Sequence, residues 1–204
     1  KNQTKTTFIY FSTTEEIVYE LKDINHSTCH DYTHMIFDTV LSNKISNDRF
    51  KKLENCINNY IDIGPIFSEL IFQKKREKHQ LFNKIGIGKN QFIISFLDHT
   101  VGYGGVLTFK SYLQFLEGMI ELAKENKNIY FLFKSKKNLS FLVNLIGLDF
   151  SNIINQMEEL PNCAYANEFN LNSLEVISMS DLIVSAPMSS VIFEALYGGV
   201  KTIT

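Results

Sequence analysis

Ser180-Asp-Leu-Ile-Val-Ser-Ala-Pro-Met-Ser-Ser-Val-Ile-Phe-Glu-Ala-Leu-Tyr-Gly-Gly-Val-Lys-Thr-Ile-Thr204 decides the fold. Leu182, Ile183 and Val184 form an apolar run bounded by Asp181 and Ser185, the pattern of a strand covered on both faces. Pro187 breaks it. Ser189 and Ser190 then stand where a helix begins, a place that suits serine because its hydroxyl can accept from an amide two or three residues on. Val191, Ile192, Ala195 and Leu196 recur at helical spacing, Gly198-Gly199 end the helix, and Thr202 to Thr204 open another strand. A strand feeding a helix whose first turn shows free amides and two hydroxyls is a candidate anion site, with Glu194 one turn further on. Many crossover helices of this kind hold nothing, so the motif needs support from its surroundings.

The preceding hundred residues repeat the same alternation. Strands are expected at Phe92–Leu97, Ile129–Phe133 and Cys163–Tyr165. Helices are expected at Thr108–Glu125, from Leu139, over 150–160 and at Leu171–Met179. The first of these puts Tyr112, Leu113, Leu116, Met119, Ile120 and Ala123 on one face. Such alternation demands right-handed crossovers and a mostly parallel sheet, hence a Rossmann-like α/β domain. Ligands of such sheets bind beyond the carboxyl ends of the strands. The first strand ends in Asp98-His-Thr-Val-Gly-Tyr-Gly-Gly105. There Gly104 and Gly105 let the backbone approach a ligand, and His99 can donate to phosphate or serve in acid–base chemistry. The plainer alternative is that Asp98 and His99 cap a turn that the glycines shape. The spacing is not a GxGxxG fingerprint. Lys134, closing the next strand, points to the same cleft as a neutraliser of phosphate; Lys136 and Lys137 read as a solvated run.

Toward the start, Thr7 to Phe11 reads as a strand and Ser12-Thr-Thr-Glu15 as a capping box opening a helix. Residues 22–34 are polar and irregular. Phe37–Leu41 is a strand, Ser46 caps a helix running to about Asn59, and Tyr60–Ile63 is a short strand. Gly64-Pro65 is the clearest break. An amphipathic helix over 66–83 with a basic middle, Lys74-Lys-Arg76, follows and ends in the turns of Gly86 and Gly88. The expected organisation is the closing part of a first α/β domain over 1–64, a linker helix over 65–90, and a Rossmann-like domain over 91–204. The chain starts at Lys1 and stops inside a strand, so a fragment is expected, with the last domain truncated at its end.

A net charge of −2 gives no general reason to expect nucleic acid. Cys29, Cys56 and Cys163 are too few and too scattered for a disulfide framework, which points to a reducing, cytoplasmic setting. No apolar run reaches the length that spans a bilayer. The basic segment Lys74–Lys78 could touch an anionic membrane surface, or be the wet face of a connecting helix. His26, His30, His34 and Asp38 fall at four-residue intervals that on a helix could hold zinc. Asn25, Ser27, Thr28 and Thr33 argue for a loop there, and no metal or other cofactor is expected.

Ser185-Ala-Pro-Met-Ser-Ser-Val-Ile-Phe-Glu194 resembles the donor-binding half of GT-B glycosyltransferases and their relatives. These include sugar-nucleotide 2-epimerases and polymerases that transfer polyol phosphates onto cell-wall chains. The resemblance implies that Ser189 and Ser190 hold the diphosphate of a nucleotide-diphosphate sugar donor and that Glu194 meets its ribose. It also places a basic residue near Lys134. A carbohydrate acceptor and a role in surface polysaccharide biosynthesis, at or near the inner face of the membrane, follow from the same resemblance. Two departures stand against assigning a subfamily. Ala186 occupies the place of a second glutamate found in many retaining members, and Lys134-Ser-Lys stands where the polymerases carry His-Pro. The catalytic base stays unassigned, with His99 as its candidate. An epimerase of the same fold and a non-catalytic nucleotide- or partner-binding domain are the competing readings.

Overall fold

Phe92-Ile-Ile-Ser-Phe-Leu97 is apolar on both faces, and in the computed structural model it is the central strand of a five-stranded parallel sheet. The structure describes residues 5, 7–9, 36–42, 56–63, 68–88, 90–99, 101–102, 107–186 and 189–204. The chain divides into two compact units, Lys1–Ile66 and Phe67–Thr204.

In the second unit the elements run α1 (Ser68–Arg76), α2 (Lys78–Ile85), β4 (Phe92–Leu97), α3 (Phe109–Glu125), β5 (Ile129–Lys134), α4 (Leu139–Ile146), α5 (Leu148–Glu158), β6 (Cys163–Tyr165), α6 (Ser173–Met179), β7 (Leu182–Ser185), α7 (Ser190–Tyr197) and β8 (Lys201–Ile203). The strand order is β6-β5-β4-β7-β8. The chain therefore builds outward from β4 to one edge, returns, and continues on the other side. Strand alternation sends Ile93, Leu97, Leu132 and Ile183 into one core with α1, α2, α6 and α7. It sends Phe96, Phe131 and Phe133 into a second core with α3, α4 and α5. Ser95 is polar yet buried at the centre of β4; its hydroxyl pairs with that of Ser180 at 2.6 Å, and Ser180 donates to the Val176 carbonyl at 2.6 Å.

Local chemistry sets the helix starts. Thr108 caps α3 by accepting from the Ser111 amide at 3.1 Å, and Asn138 caps α4 by accepting from the Phe141 amide at 2.8 Å. Asn172 and Glu175 form a capping box on α6. The stretch expected as one linker helix is two helices separated at Glu77, with Gly86 closing the second at φ +71°. Ile71, Leu81, Phe82 and Ile85 are buried in the same core as Val176 and Ile177. The basic run of α1 is engaged as well: Lys74 meets Glu175 at 3.7 Å, and Lys75 donates to the Gly198 carbonyl at 2.6 Å.

In the first unit β1 (Thr7–Ile9), β2 (Ile36–Ser42) and β3 (Cys56–Asp62) form a parallel sheet in the order β1-β2-β3. Residues 56–59, expected as the end of a helix, belong instead to β3, with Cys56 opposite Ile36 and Asn59 opposite Thr39. Pairing along β2 outweighs helical spacing there, and Asn58 and Asn59 are weak helix formers in any case. The Asn58 and Asn59 amides also donate to the Asp38 side chain and carbonyl, both at 3.4 Å. The capping box at 12–15, the histidines at 26, 30 and 34, and Gly64-Pro65 lie outside the described residues.

Candidate functional site

Reversal of strand order between β4 and β7 opens the crevice where ligands of parallel sheets bind. Leu97 of β4 pairs with Lys134 of β5 on one side and with Ser185 of β7 on the other. Asp98 and His99, Lys134, and the segment leading to Ser189 therefore leave three adjacent strand ends. The Ser185 hydroxyl donates to the Leu97 carbonyl at 3.1 Å and ties two of those ends together.

Ser189 is the residue before α7 and is buried, and Ser190 is the first residue of the helix. The Ser189 hydroxyl does not accept from the helix amides, in contrast to Thr108, Asn138 and Asn172 on their helices. The capping role expected for its hydroxyl is thus unused; the Ile192 amide donates to the Ser189 carbonyl at 3.1 Å, so an anion here would draw on the amides of Ser190 and Val191. Glu194 lies one turn on, partly buried, and burial pushes its carboxyl up to about 7.

Asp98 is buried at the end of β4. Its Oδ2 accepts from the Tyr112 hydroxyl at 2.9 Å and its Oδ1 from the Lys136 amide at 2.6 Å. Burial pushes this carboxyl up to about 6 against the pull of those two bonds. Asp98 thus fastens α3 and the β5–α4 turn to β4. His99 lines a cavity of about 330 Å³ with Asp98, Val101, Phe109, Lys137 and Phe141. Just beyond it Val101 forms a bridge with Leu107, and Gly102 takes φ +93° beneath the Phe109 ring. Gly104 and Gly105 lie outside the described residues.

Lys134 Nζ donates to Asn167 Oδ1 at 3.0 Å, beyond β6, while Asn167 Nδ2 donates to the Ser135 carbonyl at 3.3 Å. Its amine is thus drawn toward the β6 edge and not toward α7, and burial lowers its pKa while Asp98 opposes that. The sequence alone did not single out Asn167 or Tyr112 as partners of the site. Asn167 is 33 residues from its lysine, and Tyr112 has the spacing of one more apolar position on α3. Among the described residues no group of three or more His, Cys, Asp or Glu side chains could hold a metal ion.

The profile of the polysaccharide biosynthesis PFTS motif protein family matches residues 1–203. The chain belongs to that family. No curated protein matches it. The wall teichoic acid polymerase TagF is similar in structure, with a TM-score of 0.55 at 15% identity over 81% of this chain and 38% of the polymerase. The same polymerase with a histidine-to-alanine substitution gives 0.50 at 15% identity, over 81% of this chain and 39% of the other. At that identity the likeness shows the fold alone: the α/β fold of this PFTS-family chain, with its parallel five-stranded sheet, is similar to the GT-B fold of TagF, and the chain spans well under half of the polymerase's length. Among the described residues no helix is long and apolar enough to cross a membrane.

Proposed function

We propose that the second unit is the donor-binding half of a GT-B-type glycosyltransferase, with the first unit the end of its acceptor-side domain. The reaction moves a sugar or related group from a nucleotide diphosphate to a carbohydrate acceptor in surface polysaccharide biosynthesis. The observation that carries this reading is the start of α7 at the strand-order reversal, with its serine pair, in a chain of a polysaccharide biosynthesis family. The tetrapeptide spelled by the family's name adds support. Pro187-Met188-Ser189-Ser190 keeps its proline and final serine and replaces threonine by another hydroxyl residue; Pro65-Ile-Phe-Ser68 lacks a hydroxyl at the third place.

In this reading the amides of α7 and the hydroxyls of Ser189 and Ser190 take the charge that develops on the leaving diphosphate, which is where such enzymes gain most of their rate. Glu194 accepts from the ribose hydroxyls. Lys134 contributes positive potential at the neighbouring strand end from its seat on Asn167. A cytoplasmic setting fits the free, buried thiol of Cys163.

Calorimetric titration with uridine and cytidine diphosphates tests the proposal. Replacing Ser189 and Ser190 by alanine keeps the amides and removes two hydroxyl donors. Each bond to a charged group is worth about 1.5–3 kcal/mol, so affinity should drop roughly ten-fold or more. A wild-type chain that binds neither nucleotide at millimolar concentration, or binding indifferent to the double substitution, overturns the assignment.

A further inference from the structure

The two faces of the sheet are covered unequally at β7 and β8. Ile183 of β7 is fully buried on the face that α1, α2, α6 and α7 cover. On the other face Val184 is only half-buried, and Ile203, its neighbour on β8, is 55% exposed. These two and Phe96 of β4 floor a groove of about 520 Å³. Every helical residue lining it belongs to α3. Phe115 and Leu122, the latter 44% exposed, supply apolar wall, while Glu121 and Glu125 supply charge. The lining holds no cation, and among the described residues neither glutamate has an ion-pair partner. Gly118 stands on the same wall, one turn before Leu122. Glycine is a poor residue for a helix interior, yet a β-carbon there would meet no heavy atom within 4 Å. Packing within the described unit therefore does not call for the gap.

We infer that this groove seats an amphipathic helix of a partner protein, apolar face down, with lysine or arginine along the flank that meets Glu121 and Glu125. The wall from Gln114 to Glu125 offers about three helical turns. Helix-in-groove contacts need only a few apolar anchors over that length, and the missing side chain at Gly118 lets a second backbone come close. The sheet's own connections do not fill the place. A right-handed crossover carries α7 from β7 to β8 on the opposite face, and a strand added beyond β8 would put its helix there too. A two-fold contact with a second copy would bring like carboxylates together, which disfavours that occupant. The groove lies on the sheet face and not at the strand ends, so the inference stands without the donor-site reading.

The probe is a labelled peptide of about four helical turns, leucine on one face and lysine on the other, titrated with the whole chain and followed by fluorescence anisotropy. It should bind, and its counterpart with glutamate in place of lysine should not. Glu121→Gln with Glu125→Gln should weaken binding by up to about five-fold for each carboxylate removed and blunt its salt dependence. Gly118→Leu fills the groove with a better helix former, so binding should be lost while the melting temperature holds or rises. Gly118→Cys should react with a maleimide in the free chain and be shielded by the lysine peptide. The inference is overturned if the lysine peptide does not bind, if both peptides bind alike, or if Gly118→Leu binds as the wild type does. A lowered melting temperature in Gly118→Leu also overturns it, because the glycine would then serve packing within the chain. So does shielding of Gly118→Cys without peptide, since this chain or a second copy would already occupy the groove.

Discussion

The α-carbon of Gly198 is so close to Ile71 that a β-carbon there would lie 2.6 Å from Ile71 Cγ2. Helix α1 thus packs directly on the C-terminal end of α7, and Lys75 secures the contact by donating to the Gly198 carbonyl at 2.6 Å. A cation at a helix C-terminus also favours the helix dipole. The opposite end of α7 is the proposed phosphate site, so α1 holds the donor helix from behind.

Gly198→Ala should destabilise the chain by about 1–3 kcal/mol, the usual result of forcing an extra carbon into a packed contact. Ile71 is fully buried, and Ile71→Ala should cost about 2–5 kcal/mol through the cavity it leaves. Because the new methyl would occupy part of that cavity, the double variant should be more stable than the sum of the two losses implies. Denaturant titration of all four proteins measures this coupling. Strict additivity would show that the two residues do not press on each other.

Truncation separates packing from linkage. Ile71, Leu81, Phe82 and Ile85 are buried in the core of the second unit. Four such side chains contribute together about 6–12 kcal/mol, comparable with the whole stability of an ordinary domain. A fragment of residues 67–204 should therefore melt cooperatively, whereas one of residues 91–204 should not. Equal melting of the two fragments would mean that α1 and α2 add little.

The alternation of strands and helices from Phe92 onward was legible because buried parallel strands are short apolar runs and the helices between them carry one apolar face. The strand Cys163–Tyr165 was readable from three residues for that reason. Residues 56–59 were not, since their strand character comes from pairing with β2, a partner some twenty residues away in sequence. The same limit hid the Lys134–Asn167 bond. Sequence placed the lysine at the correct strand end, yet where its amine goes depends on a turn beyond β6. The serine pair at α7 was visible, but only the structure shows that the Ser189 hydroxyl does not cap the helix.

Asp98 offers a pH signature. Its carboxyl is raised to about 6 by burial, so the folded chain holds its proton more tightly than the unfolded chain does. The associated stability is fully present below the unfolded carboxylate value and is lost as pH rises through about 6. Tyr112→Phe removes the donor to Oδ2, so the folded value should climb further and the loss extend to higher pH. Removal of that buried bond should also cost about 1–3 kcal/mol at neutral pH. Denaturation midpoints across the acid range check both effects; a Tyr112→Phe curve parallel to wild type would show that the bond does not tune the carboxyl.

Glu194 gives the sharpest test of the donor site. Burial raises its carboxyl to about 7, and among the described residues no side chain pairs with it. Near neutrality it is divided between two forms, and the ionised one accepts better from ribose hydroxyls. Affinity for a nucleotide sugar should therefore increase between about pH 6 and about pH 8 and level off above that, as a carboxyl titrating near 7 requires. A nucleotide sugar suits the measurement because its diphosphate is esterified at both ends and does not titrate in this range. Glu194→Gln should flatten the profile and, at the upper end, weaken binding roughly ten-fold or more, the worth of a hydrogen bond to a charged group. Inorganic pyrophosphate, which lacks ribose, should bind the variant and the wild type alike. The folding signature has the opposite sign: stability present below the unfolded carboxylate value is lost as pH rises through about 7, and the glutamine variant should lack that loss. Should both proteins bind the nucleotide sugar with one common pH profile, Glu194 does not meet the ribose.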